Sequence, residues 1–321
     1  MHKKTVLWLL IAVALVLGGA ILFGGVMISV NWNFGKLSTV AYETNEYSIH
    51  EVYQNISVVT DTADVVFLPA DEAECRVVCH EQSRAKHTVS VRDGTLVIEL
   101  VDTRKWYEYI GVNFDTDKVT VWVPSKVSGN LSLRADTGDV EISEALRFAS
   151  MDVSVSTGNV HNRASVAQEM KIRATTGDIS VEAVSAGSMM LSVTTGKVTV
   201  SDVKCTGEVS VGVSTGKARL TNTTCANLTS DGNTGSIWLK NVVAAETLCI
   251  ERTTGDVTFD GCDAGEITVI TDTGNVTGSL LSEKVFVVQT DTGRIQVPAT
   301  TTGGTCRITT DTGDIQLHIA Q

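Results

Sequence analysis

The sequence predicts an all-β chain: a parallel β-solenoid (a single-stranded β-helix) of about ten 19–20-residue rungs with an N-terminal β cap, preceded by one transmembrane α-helix. Three observations lead there. Thr-Gly recurs ten times at a spacing of 19 or 20 residues, with glycines at Gly138, Gly158, Gly177, Gly196, Gly216, Gly235, Gly255, Gly274, Gly293 and Gly313. A fixed period of that length marks one short supersecondary unit stacked on copies of itself. Apolar residues alternate in steps of two on both sides of each Thr-Gly, the signature of strands with one buried face. No segment within the period has helical spacing or room for a helical crossover. The boundaries follow: residues 1–4 as a cytoplasmic stub, 5–30 as the anchor, 31–128 as a juxtamembrane linker and N-terminal β cap, and 129–321 as the solenoid.

Thr5 to Val30 holds no charged residue. As a helix it would reach about 39 Å, more than the roughly 30 Å hydrocarbon layer. A secretory signal peptide has a shorter apolar region and a small-residue cleavage site, and none follows here, so an uncleaved anchor is expected. His2-Lys3-Lys4 precedes the span and only Lys36 follows closely. The positive-inside rule then puts the N-terminus in the cytoplasm and the C-terminal domain outside, on a single-pass cell-membrane protein. Trp32 and Phe34 stand where interfacial aromatics would.

In the cap, Asp61-Thr62-Ala63-Asp64-Val65 reads as a degenerate rung with alanine at the glycine position. Asp93-Gly94 between Val89-Ser90-Val91 and Leu96-Val97-Ile98 is a two-residue hairpin signal. Val119 to Val123 alternates up to Pro124. A cap is expected because a solenoid must cover the open apolar end of its first rung.

Within each rung the core positions lie seven and five residues before the glycine and two and four after it. Asn162, Ser230 and Gly278 break these series. The corner glycine supplies a conformation that a Cβ would penalise. The preceding threonines are expected to exchange hydroxyl hydrogen bonds along the stack. Asp136, Asp272, Asp291 and Asp311, two before the glycine, are expected to bond the turn backbone. The far end looks bare, and its edge after the last strand is expected to favour self-association.

Among seven cysteines, Cys205 and Cys225 each fall nine residues after a corner glycine. Neighbouring parallel strands stand about 4.8 Å apart, so the pair could form a structural disulfide or belong to a ladder of small buried hydrophobes.

The chemistry is sparse. A net charge of −12 without a basic stripe argues against nucleic acid. Asp-Thr-Gly is the aspartic-protease tripeptide, but those enzymes need two facing loops, and here the copies belong to a ladder. Asp272, Asp291 and Asp311 along one edge, with Asp314 beyond, do not make the oxygen cage that calcium needs. The six histidines show no metal-ligand spacing, and no nucleophile elbow or phosphate loop occurs. No catalytic, cofactor or metal residue is expected, and the chain is read as a non-enzyme. Two features could bind. Trp106, Tyr107 and Tyr109 crowd a segment between strands, where they could also simply cover the first rung, and Trp238 lies on the outward face of its rung.

The Thr-Gly-Asp/Asn-Val/Ile rungs, the Asn55-Ile56-Ser57-Val58 to Asp61-Thr62-Ala63-Asp64-Val65 segment and the anchor together resemble a bacterial β-strand-repeat family of unknown function (DUF4097-like) labelled "putative adhesin". The likeness spans roughly residues 40–321. It implies a cell-envelope protein with a β-helix-like ectodomain and no established enzyme activity. The expected role is binding, adhesion or scaffolding at the bacterial surface, with the membrane and a cell-wall glycan or surface protein as partners. Two alternatives are an envelope-stress sensor working through a membrane partner and a polysaccharide-processing β-helix enzyme.

Overall fold

A computed structural model describes residues 3–33, 40–70, 75–109 and 115–320, with Lys3, Lys4, Glu108 and Tyr109 described in backbone only. Phe34 and Lys36 lie outside the described residues. Helix α1 spans Lys3–Ser29, and its Thr5–Ser29 stretch is long and apolar enough to cross a membrane. It ends where Asn31 and Trp32 adopt left-handed backbone, with the Trp32 amide donating to the Met27 carbonyl at 2.8 Å.

The cap begins with β1 (Tyr42–Ile49), β2 (Asn55–Thr60), β3 (Ala63–Pro69), β4 (Cys75–Gln82), β5 (Ala85–Arg92), β6 (Thr95–Asp102) and β7 (Asp117–Val123). Strands β5 and β6 form the expected antiparallel hairpin, with Asp93 and Gly94 both at positive φ. Strand β4 lies antiparallel between β1 and β7. Only part of this region is a cap, however. Strands β2 and β3 pair in parallel with the first Thr-Gly rung, so that a Cβ at Gly138 would meet the Ala63 carbonyl. The degenerate segment is therefore a true rung. Strands β6 and β7 form another rung beneath it.

From Asn130 onward the rungs stack parallel and in register: Thr137 pairs with Thr157, Thr157 with Thr176, and Thr176 with Thr195. The predicted apolar positions fill one continuous core, with Leu133, Ile172, Leu191, Val211 and Val269 at 0% exposure. Its three sequence irregularities each have a local reason. Gly278 holds positive φ and lies so close to the Phe259 backbone that a Cβ there would meet the Phe259 carbonyl. Asn162 bonds the Ala164 carbonyl and amide at 3.0 and 3.1 Å, closing its own turn. Ser230 accepts from the buried Arg252 guanidinium at 2.8 Å, and Gly232 leaves the space that this guanidinium fills.

The corner is held differently from the expectation. Among the described residues, none of the ten corner threonine hydroxyls bonds along the stack, and the aspartates two before the glycine make no turn bond. The residue after the glycine does this instead. Asp64 Oδ1 accepts the Asp139 amide at 2.9 Å, Asp139 that of Asn159 at 2.7 Å, Asn159 that of Asp178 at 3.0 Å, and Asp178 that of Lys197 at 2.8 Å. The same relay runs from Asp256 to Asn275 to Asp314 to Arg294. Where a short acceptor follows the glycine it satisfies an exposed corner amide of the neighbouring rung, and Lys197 and Lys217 break the relay into two runs. A second ladder stands six residues past the glycine, where Asp202, Asn222 and Asn241 hold left-handed backbone. Asn222 donates to Asp202 at 2.8 Å, and Asn241 to Asn222 at 2.9 Å.

The order of the rungs departs from chain order at both ends. At the start, β2 and β3 lie between β6/β7 and the Gly138 rung. At the finish, strand Gly304–Thr312 inserts between Val257–Thr273 and Lys284–Thr292. The exposed edge is therefore that of the Gly293 rung, not of the last strand. Ile295 there is 47% exposed, whereas its equivalent Ile315 is fully buried.

Gly216 at φ 142° cannot carry a Cβ without meeting the Gly196 carbonyl, so Gly216→Val should cost about 1–3 kcal/mol of backbone strain. At Gly212 an added Cβ would find its nearest atom at 3.5 Å, so Gly212→Ala should be close to neutral. Thermal melts that fall equally, or not at all, in both variants would overturn this account of the corner.

Candidate functional site

The outward aromatics do not form one surface. Trp106 and Tyr107 sit on a 3₁₀ turn (Trp106–Tyr109) between β6 and β7, 77% and 49% exposed and edge-on at 5.9 Å. The Tyr109 side chain lies outside the described residues. These residues stand at the N-terminal end of the stack. Trp238 belongs to a distant rung and is half-buried, because the Arg219 guanidinium lies 3.9 Å over its ring. That contact gives Trp238 a structural role.

Cys205 and Cys225 occupy the same place on consecutive rungs, as predicted, and both are buried free thiols. Burial pushes the Cys225 thiol up to about 12, so it behaves as a small hydrophobe rather than a nucleophile.

The third side of the rod, away from the Thr-Gly corner, carries a groove of about 350 Å³ that sequence reasoning did not find. It crosses four rungs and is lined by Arg147, Phe148, Val166, Ala186, Gly187 and Lys204, among others. Its origin is a register shift between Val166 and Glu169, where the chain bulges while its neighbour carries Gly187. The floor is apolar. Arg147 and Lys204 are exposed, form no ion pair among the described residues, and stand three rungs apart, about 14 Å at 4.8 Å per rung. On a chain of net charge −12 this is a locally positive, apolar-floored strip.

The cap encloses a buried polar cluster. Cys79 and Glu81 alternate inward on β4, and His87 enters from β5 across a tight turn. Glu81, fully buried, accepts from His87 Nδ1 at 2.7 Å, from the His87 amide at 2.6 Å and from Asn45 Nδ2 at 2.7 Å. Burial alone would raise its carboxyl, but those hydrogen bonds outweigh it and hold Glu81 below the usual range. His87 Nε2 meets Thr60 Oγ1 at 2.9 Å. Cys79 is fully buried, and burial together with the Glu81 charge raises its thiol to about 12. Nearby, Asp117 accepts from Thr62 at 3.1 Å, while its other oxygen is buried without a partner. Burial accordingly raises the Asp117 carboxyl. The alternation of Cys79 and Glu81 is visible in the sequence; the arrival of His87 depends on the hairpin register.

A family model described as Toastrack DUF4097 matches residues 53–224 and 206–321. Among solved structures, the chain is similar to a "putative adhesin" from Bacteroides fragilis at 14% identity, covering 87% of this chain and 97% of that one, with a TM-score of 0.44. A "putative adhesin" from Parabacteroides merdae is 12% identical, with 86% and 96% covered and a TM-score of 0.49. A "putative lipid binding protein" from Parabacteroides distasonis is 16% identical, with 85% and 98% covered and a TM-score of 0.45. No curated protein matches the chain significantly.

Asp117 gives the cap a pH signature of known sign. Its carboxyl is raised in the folded state, so folding binds a proton as pH falls toward that raised value, and Asp117 costs stability at neutral pH. Asp117→Asn should therefore melt higher than the parent at pH 7, with the gap closing as pH approaches the ordinary aspartate value near 4. Melting curves of the two proteins across that range test this, and a gap that widens toward acid would overturn it.

Proposed function

Because the chain belongs to the Toastrack DUF4097 family, we propose that it is a membrane-anchored β-solenoid that works by binding at the bacterial cell surface, without catalysis. Helix α1 anchors it, and Lys3 and Lys4 ahead of the span favour an N-terminus in the cytoplasm and a rod on the outer side. The rod is rigid because each rung bonds to its neighbours along its whole length, which suits a scaffold that presents a surface at a fixed distance from the membrane.

The groove across Arg147, Phe148, Gly187 and Lys204 carries this reading. Two unpaired cations spaced along an apolar-floored strip complement an extended anionic polymer, whose charges would meet Arg147 and Lys204 while its uncharged backbone lies on Phe148, Val166 and Ala186. An anionic cell-wall glycan has that chemistry. Nucleic acid does not suit the surroundings, because the surface as a whole is acidic.

Full-length protein in detergent should bind isolated cell walls, weaken with added salt, and lose at least about tenfold in affinity in the Arg147→Glu/Lys204→Glu double variant, an electrostatic change of about 1.4 kcal/mol or more. Unaltered wall binding by that variant would sink the groove. Recovery of membrane proteins alone, with no wall binding by the parent, would favour regulation through a membrane partner instead. Glycan turnover by the purified protein would refute the non-catalytic reading.

A further inference from the structure

The buried cluster in the cap has a donor set of its own. Among the described residues, Cys79, Glu81 and His87 bring a sulfur, a carboxylate oxygen and an imidazole nitrogen within 4.8 Å of one another, all three buried. We propose that Cys79 Sγ, Glu81 Oε2 and His87 Nδ1 form a binding site for a thiophilic divalent cation, with Zn²⁺ as the ion that best matches this mixed set.

Four features support the assignment. Thiolate, imidazole and carboxylate are the three ligand types that zinc takes, whereas calcium and magnesium would want an all-oxygen shell. Glu81 and His87 already point at one another at 2.7 Å, so a cation can replace the proton on that line with a small opening of the pair. The Cys79 thiol has no hydrogen-bond partner among the described residues, although it faces a carboxylate and an imidazole, so it is left to act as the third ligand. The outer contacts are also in place. Thr60 Oγ1 stands 2.9 Å from His87 Nε2 and can accept its N–H, which leaves Nδ1 free as the ligand. Asn45 holds the second Glu81 oxygen at 2.7 Å. Metal-bound histidines characteristically have such a partner on the other nitrogen.

The charge of the filled site balances. Thiolate, carboxylate and neutral imidazole around Zn²⁺ sum to zero. The buried site therefore takes up the metal without a net charge in the apolar interior. Three protein ligands leave the fourth tetrahedral position to a non-protein ligand. The cation would tie β4 to β5 and, through Thr60, to β2, so it would fasten the hairpins to the first rung.

The test uses the full-length protein in detergent, produced with zinc in the medium and purified without chelator. Elemental analysis should find one zinc per chain. Protein refolded with Co²⁺ in its place should show a thiolate-to-cobalt charge-transfer band in the near ultraviolet. Cys79→Ser should abolish that band, and His87→Gln should abolish stoichiometric zinc. Thr60→Val should keep the band but weaken affinity by about 10–100-fold, as expected for a residue that only positions His87. A parent protein with no zinc and no cobalt band overturns the proposal whatever the variants do. So does zinc that Cys79→Ser retains undiminished, which would place the ion on surface carboxylates. If Cys79→Ser fails to fold by its β-sheet circular dichroism, the cobalt band of the parent still decides.

Discussion

Every position in this rod lies about 4.8 Å from a copy of itself on the next rung, and that constraint governs the rest of the structure. A side chain that suits the stack must tolerate itself as a neighbour. Apolar residues do so readily, which is why the core positions repeat with little variation. A charged or bulky residue does not, and it needs a local answer in an adjacent rung. Arg252 lies beneath Gly232 and Ser230, with its guanidinium in the space that a Cβ at Gly232 would take. A short acceptor is the polar residue best fitted to repetition, because its oxygen can reach the neighbouring amide while its own amide is reached in turn. The Asp/Asn relay after the glycine and the Asp202–Asn222–Asn241 ladder both use this device.

The same constraint makes the two ends the difficult places. A rung with a neighbour on one side only leaves its backbone groups and half its core exposed. At each end the chain lays down an outer rung and then returns inside it, so the outermost rung is held by earlier strands at the N-terminal end and by later strands at the other. At the N-terminal end antiparallel hairpins then extend the cover. At the other end the Gly293 rung ends the described stack with Val285, Val287 and Ile295 exposed.

The repeat, the corner glycines, the apolar ladder, the Asp93-Gly94 hairpin and the membrane-length helix were legible in the sequence because each rests on local chemistry or on a period that many copies repeat. The rung swaps were not, since chain order and spatial order agree for every interior rung and nothing local marks where they part. The corner acceptor was visible yet misassigned. Aspartates occur both two before and one after the glycine, and only backbone geometry shows which set reaches a neighbouring amide. His87 stayed silent because its approach to Cys79 and Glu81 depends on hairpin register rather than on sequence spacing. Trp238 illustrates the converse: its outward position was readable, but its cover by Arg219 needed the stacking of one particular rung on the next.

A uniform stack has few places where a ligand could be recognised, because its regular faces offer the same chemistry at every step. Recognition has to sit where the repetition fails. The groove exists because one rung bulges after Val166 and its neighbour carries Gly187, and its cations fall on two rungs alone. The polar cluster of the cap exists because β4 and β5 run against the direction of the rungs, so that a histidine can meet a cysteine and a glutamate not copied elsewhere. The regular rungs supply length, and the two irregular regions hold side-chain combinations that the repeat does not copy.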